Sequence, residues 1–466
     1  MTDEQWLRAF EKYAGQEWSP HDLGVGGAYE LGRELAQRAK GDPDRFIRLA
    51  LHPKAASDPA YIVAIIDVLK EVAADATPEL VFDFIRHVAS LHLPEHERRV
   101  GDVVRAVRDR DIPRDIIEIL VERALHAASP APHDPPTVEW SGDEEGDDAQ
   151  LRSDLWIQGL NTARGHLVTA LADLLIHDAD GSRTAIVAPH LAEFAQEPHS
   201  GVRACVARLV AAALGHAEAE AVAVYLPLTE GQDAALATDP FESLTVFVSH
   251  RDADAAAAVI DRMLESDDRH VRRAAGRLSA FMGLERERPG MLAEALAAED
   301  AFVRRGAAEI CSHRLTFTKN SEGAQNAVRA LLTDPDLKVR TAAADVAPNL
   351  RGAPLRPYAP LLHDVIQAPA FDAIGSQLLL TLEAAPDRVD DLVLASARRF
   401  VDEHGRELGD FSTGAAADAR ELCTLVLRAY AQAPDPAGRA AALDLIDQLL
   451  LLGAYGIEEA LSESER

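Results

Sequence analysis

The sequence predicts an all-α fold, with antiparallel helix pairs stacked into a right-handed helical-repeat superhelix. Three observations carry this reading. First, a Val-Arg pair recurs behind a polar turn, in Glu197–Arg203, Asp268–Arg272, Asp300–Arg304 and Asp334–Arg340, with a degenerate earlier copy at Asn161-Thr162-Ala163-Arg164. The Arg-to-Arg steps are 39, 69, 32 and 36 residues, and the long step reads as two units with one weakened copy between them. A period near this length marks stacked helix pairs, each unable to bury its apolar face alone. Second, the chain is 47% hydrophobic but only 5% aromatic. Ala and Leu dominate, which suits helices that approach closely. Third, there is no sustained period-two alternation and no Asn-Gly hairpin turn, so no sheet is expected.

Residues 1–128 form an N-terminal helical segment whose helices are parted by Gly or Pro. Ala28–Ala39 follows the Gly24-Val25-Gly26-Gly27 turn, and Asp44–Leu51 follows Pro43 and stops at His52-Pro53. Tyr61–Ala73 puts Ile62, Ile65, Ile66 and Leu69 on one face, the spacing of a helix. Pro78 and Pro113 fall at first-turn positions, where a missing N–H costs little. Residues 129–150 break the pattern with Pro130, Pro132, Pro135, Pro136 and the acidic run Asp143–Asp148, and contain no Lys or Arg. Such a segment buries too little apolar surface to offset its ordering entropy and is expected to be a flexible loop.

The repeat occupies residues 151–350. Val202, Cys205, Val206 and Leu209 fall at i, i+3, i+4 and i+7, and the same spacing recurs in Val271, Ala274, Ala275, Leu278 and in Val339, Ala342, Ala343, Val346. The outer helices that precede these are Ile186–Phe194, Ala255–Leu264, Met291–Ala298 and Ala327–Leu332. In three of the four copies the intervening turn carries an Asp able to cap the second helix, while the copy before Arg203 has Glu197 and Ser200. Residues 351–466 continue as C-terminal helical repeats.

These units resemble HEAT repeats, whose second helices are introduced by an Asp-x-x-Val-Arg pattern. Asp268–Arg272 and Asp300–Arg304 match it directly, and the copies ending at Arg203 and Arg340 are looser. The stretch Gly159-Leu160-Asn161-Thr162-Ala163-Arg164-Gly165 followed by repeats is similar to the C-terminal helical region of bacterial STAND (NACHT-like) NTPases of anti-phage defence, as are Leu443–Asp447 and Gly453–Ile457. That resemblance implies a target-sensing role beside an NTPase or effector partner, as a separate subunit or a fragment of a larger chain. It does not carry NTPase activity over.

Composition and motifs narrow the chemistry. Lys and Arg number 47 against 77 Asp and Glu, a formal net charge of −30. A surface this acidic repels phosphate backbones, so general nucleic-acid binding is not expected. Cys205, Cys311 and Cys423 are widely spaced and odd in number, which argues against a disulfide framework or a structural zinc site. The opening Met1-Thr2-Asp3-Glu4 is no secretory signal, and runs such as Leu209–Leu214 and Leu449–Leu452 are too short to span a bilayer. The expectation is a cytoplasmic protein with no membrane contact.

No phosphate-binding loop, HExxH or GxSxG motif occurs. Gly24–Tyr29 lacks the third Gly of a dinucleotide fingerprint, and Asp178–Ser182 is read as a turn between helices because its Gly comes too early for a calcium loop. His87, His92 and His96 are interrupted by Pro94, which spoils helical ligand spacing. No catalytic residue, metal or cofactor is expected. The residues singled out are Arg164, Arg203, Arg272, Arg304 and Arg340, read as a ladder that pairs with turn carboxylates and fixes repeat to repeat. The functional expectation is a non-enzymatic scaffold that recognises a protein partner, as the sensor part of a bacterial defence system. The alternatives are a HEAT-like enzyme, such as a DNA glycosylase or bilin lyase, or a structural spacer.

Overall fold

The structure, a computed structural model, describes residues 1–15, 27–91, 94–128, 148–231, 233–433 and 435–464. The chain divides into two compact units, Met1–Val259 and Ile260–Arg466. No strand occurs among the described residues. The first unit holds α1 (Asp3–Tyr13), α2 (Ala28–Ala39), α3 (Pro43–Ala50), α4 (Pro59–Val72), α5 (Pro78–Leu91), α6 (Pro94–Ala106) and α7 (Arg114–His126). It continues with α8 (Asp148–Leu160), α9 (Ala163–Ile176), α10 (Thr184–Val187), α11 (Leu191–Phe194), α12 (Ser200–Ala213), α13 (Glu218–Leu228), α14 (Asp233–Leu236) and α15 (Asp239–Ser249). Helix α16 (Ala253–Leu264) includes the residues where the units divide. The second unit holds α17 (Arg269–Glu285), α18 (Pro289–Ala297), α19 (Ala301–Arg314), α20 (Ser321–Leu331), α21 (Leu337–Ala344) and α22 (Val346–Asn349). Its remaining helices are α23 (Ala359–Gln367), α24 (Phe371–Glu383), α25 (Asp390–His404), α26 (Gly414–Gln432), α27 (Pro436–Leu451) and α28 (Ile457–Ser464).

Within each unit the helices sort into two rows. In the second unit α17, α19, α21, α24, α26 and α28 pack in succession, while α20, α23, α25 and α27 pack in a parallel series beside them. In the first unit one row runs α2, α4, α6, α9, α12, α15, and the other starts α3, α5, α7. This two-row order is that of a HEAT-like array of helix pairs. The inner rows carry the core because they are covered on nearly every side. All residues from Ala163 to Leu175 of α9 are buried, which is why that helix shows no single apolar stripe. Ile62, Ile65, Ile66 and Leu69 of α4 are buried as their spacing predicts, as are Val202, Cys205, Val206 and Leu209 of α12.

Several local expectations are corrected. Residues 148–150 begin α8, so the expected loop 129–150 is shorter at its C-terminal end; residues 129–147 lie outside the described residues. Helix α8 is not a repeat helix, because α6 and α7 pack directly on α9 while α8 lies against α9 and α12. The outer helix expected at Ile186–Phe194 is α10, a 3₁₀ turn Ala188–His190 and α11. Pro189, which has no N–H to donate, accounts for the break. Pro113 is the N-cap of α7 rather than its first residue. Val346 starts its own short helix, since α21 ends at Ala344.

Glycine sets how closely neighbouring helices approach. A Cβ on Gly276 of α17 would lie 2.1 Å from the Val303 carbonyl oxygen of α19, and one on Gly306 of α19 would lie 2.0 Å from that of Arg273 on α17. In the first unit α8, α9 and α12 meet in the same way: a Cβ on Gly159 would lie 2.0 Å from Gly201 O, and one on Gly165 2.1 Å from Gly159 O. These are backbone-to-backbone contacts that no side chain can yield to.

Gly276→Ala and Gly306→Ala are therefore each expected to lower stability by about 1–3 kcal/mol, even though Ala is the better helix former. Gly290→Ala on α18, whose Cβ meets nothing within 4 Å, is expected to stabilise. Urea unfolding of the three variants checks the difference in sign.

Candidate functional site

The repeated Arg side chains stand at the turns that open the inner helices. Arg203, Arg272, Arg304 and Arg340 each lie four residues past an N-cap, namely His199, Asp268, Asp300 and Asp336. The three Asp caps accept hydrogen bonds from the first-turn N–H groups of His270, Phe302 and Lys338, each at 2.8 Å. From its position each Arg turns back to the carbonyl six residues earlier. Arg203 reaches Glu197 O at 3.1 Å, Arg272 reaches Ser266 O at 2.7 Å, Arg304 reaches Ala298 O at 2.7 Å and Arg340 reaches Asp334 O at 2.6 Å. These carbonyls lie just beyond the preceding helix, where acceptors are left unfilled and the helix dipole favours a cation.

The other edge of the guanidinium reaches the next turn. Arg272 pairs with Asp300, and Arg304 holds both oxygens of Asp334 at 2.6 and 3.0 Å. Arg164 holds both oxygens of Glu197 at 3.1 and 3.0 Å and also bonds Ala127 O at 3.1 Å. It does so from a different register, two residues past the N-cap Thr162. Arg203 reaches forward to the Glu230 carbonyl. Arg340 bonds only the carbonyls of Asp334 and Pro335, and its buried Nε meets no acceptor. Glu197, Ser266 and Asp334 share a second task two residues before the N-cap. Their side chains accept the N–H of His199 at 2.9 Å, Asp268 at 3.2 Å and Asp336 at 2.8 Å.

Burial alone would push the Asp334 carboxyl up. Hydrogen bonds from Arg304 and the Asp336 N–H, with the charges of Arg304 and Arg340, together hold it below the ordinary carboxylate range. Sequence reasoning missed one copy. Arg439 stands four residues past the N-cap Asp435 and lies 3.5 Å from Ala433 O, again six residues earlier. Gly438 occupies the place of the Val, so a pattern that requires Val-Arg passes it over. The weakened copy inside the 69-residue step is α15, which puts the buried Phe241 and then Glu242 at the Val and Arg positions after the N-cap Thr238.

The first unit also carries a hollow that the sequence did not announce. A groove of about 520 Å³ is lined by Trp156 of α8, Ile176 at the end of α9, Arg208, Ala211, Ala212 and Leu214 along α12, and Pro240 and Phe247 of α15, with Arg251 beyond it. Ala211 and Ala212 leave space that longer side chains would fill, and α8 contributes the indole wall. Ile176 and Phe247 remain 56% and 47% exposed. Beneath the groove, the buried Asp173 of α9 accepts from Arg208 at 2.7 Å and pairs with Arg105 of α6 at 2.7 Å, so Arg208 is braced from below. Nearby, Asp102 of α6 meets His166 of α9 at 2.9 Å.

Other residues weighed in the sequence have local structural settings. The Asp178 carboxylate is buried and accepts from the Thr184 N–H and hydroxyl at 2.8 and 2.7 Å, which orders the turn into α10. The three Cys are free and buried, and burial pushes each thiol up to about 12. Burial holds the His87 imidazole below its ordinary value; the side chains of His92 and His96 lie outside the described residues. Among the described residues, Asp372, Glu403 and His404 bring possible metal-ligand atoms within 4.8 Å of one another. Arg399 already pairs with Glu403, whose carboxyl is pushed up by burial and by its hydrogen bond with Asp372. That arrangement is an acid pair beneath a guanidinium rather than an open cation cradle.

No protein-family model and no curated protein sequence matches the chain. Among solved structures, an engineered protein from a structural-genomics consortium is similar over 97% of this chain and 99% of that one, at 14% identity and a TM-score of 0.36. Yeast importin-β, Kap95p, is similar over 99% of this chain and 63% of that one, at 11% identity and a TM-score of 0.40. A structure describing Kap95p binding to RanGDP covers 97% of this chain and 70% of that one, at 11% identity and a TM-score of 0.34.

Arg272→Ala and Arg304→Ala are each expected to cost about 1–3 kcal/mol in urea unfolding, because the truncation strands a turn acid and a carbonyl. The cost at Arg304 should depend on pH. Since the folded Asp334 carboxyl is held low, its contribution is present above its unfolded value and is lost as pH falls through its folded value. The gap between wild type and Arg304→Ala should therefore narrow as pH is lowered from neutral to about 3, measured by unfolding at each pH.

Proposed function

We propose that the chain is a non-enzymatic scaffold that recognises a protein partner through the groove of its first unit. The observation that supports this most directly is a preformed apolar hollow with large apolar side chains, Ile176 and Phe247, left in water at its wall. Exposed apolar area of this kind is unfavourable by roughly 25 cal/mol per Å², and covering it with a partner's apolar anchor recovers that term. A hollow of this size takes one or two such anchors, and buried anchors of this kind dominate protein-binding energy. A passive spacer would need no such groove.

The turn-layer Arg residues act, on this reading, through stability rather than by touching the partner. The guanidiniums of Arg272 and Arg304 are already occupied by a carbonyl on one side and a carboxylate on the other. A narrower role as the sensor part of a defence system, next to an NTPase or effector chain, rests on the resemblance of the Gly159–Gly165 stretch. Gly159 and Gly165 have a packing reason of their own at the meeting of α8, α9 and α12, so they do not add to that role.

The test is selection of a displayed random-peptide library on the full chain and on its Phe247→Asp variant. A peptide pool with shared apolar anchors should emerge on the wild type and be lost on the variant. Recovery of the same pool on both proteins, or of no pool on either, would contradict the groove reading.

A further inference from the structure

The electrostatics of this groove point to the chemistry of what fills it. In a chain with a formal net charge of −30, a surface hollow is expected to be bordered mainly by carboxylates. This one is not. Its lining includes two guanidiniums, Arg208 and Arg251, and one carboxylate, Asp239. Arg208 is held to Asp173 through Nη2, and its side chain remains 35% exposed. Arg251 is tied to Glu218 at 3.0 Å and to the Phe247 carbonyl at 2.9 Å, which seats its charge at the end of α15. The charged lining of the groove is therefore two partly exposed guanidiniums against one carboxylate, over an apolar floor.

Resting on the groove reading above, we propose that the occupant is an acidic segment of a protein partner, in which an apolar anchor is flanked by Asp or Glu. The anchor fills the hollow over Ala211 and Ala212, and the flanking carboxylates meet Arg208 and Arg251 at its edge. Guanidinium–carboxylate bonds at such a rim add orientation and selectivity beyond apolar burial. Selectivity of this sign runs against the long-range repulsion from the rest of the molecule, so it has to be short-ranged.

The peptide pools from the selection above carry the test, with Arg251→Gln as the main variant because Arg208 also braces the buried Asp173. Arg208→Gln serves as a second variant, with Arg105 still paired to Asp173. Within three positions of the anchor, the Phe247-dependent pool should hold at least three times as many Asp and Glu as Lys and Arg. That excess should disappear in pools selected on Arg251→Gln. One acidic peptide from the wild-type pool, measured by fluorescence anisotropy, should bind Arg251→Gln at least about fivefold more weakly. A Phe247-dependent pool with neutral or basic flanks overturns the acidic-partner inference and leaves the groove reading standing. If no pool depends on Phe247 and octanoate alone binds in the groove, both readings fall in favour of a small carboxylate.

Discussion

A single side-chain type joins one helix pair to the next in the repeat region. A helix pair ends in a turn whose carbonyls have lost their intrahelical partners, and the following helix begins with N–H groups in the same condition. The Asp at the N-cap answers the second need, and the Arg four residues further on answers the first. Because the guanidinium is planar and carries donors on two edges, one edge can close its own turn while the other reaches the acid of the next. Arg272 and Arg304 do both. The constant reach to the carbonyl six residues back, from Arg203 to Arg439, shows that the turn geometry is conserved along the array even where the forward partner changes.

Close backbone approach is the companion of that turn layer. Gly276 and Gly306 let α17 and α19 touch main chain to main chain, and the Arg-to-Asp bond at their N-terminal turns holds the same two helices. In the first unit the regularity is interrupted by α8, which is inserted between α7 and α9 and lies over α9 and α12 through the Gly159–Gly201 contact. The groove owes its indole wall to that insertion. Its cation, Arg208, is anchored through Asp173 to Arg105, so the charge on the wall belongs to the packed interior of three helices and is positioned by it.

Much of the fold was legible in the residues because each helix start carries its own chemistry. The Asp-x-x-Val-Arg spacing marks cap, buried residue and turn-closing cation at fixed positions, and the helical spacing in Tyr61–Ala73 predicted four residues that are buried. What was not legible depended on contacts between distant segments. Nothing local distinguishes α8 from a repeat helix, since its departure from the row is decided by where α6, α7 and α12 meet α9. The groove escaped for the same reason: Trp156, Ala211 and Phe247 are unremarkable in sequence and become a site only when three helices converge. Arg439 was hidden by a stricter pattern than the physics requires, because the turn needs a cap and a cation but tolerates Gly438 where Val stands elsewhere.

The most direct test is a double-mutant cycle for folding stability on Arg304 and Asp334, each changed to Ala singly and together. If the guanidinium and the carboxylate form one stabilising link between turns, the double variant should lose less than the sum of the singles, with a coupling of about 1 kcal/mol or more. Strict additivity, with no coupling, would show that the two side chains stabilise their turns independently and that the array is held by packing alone.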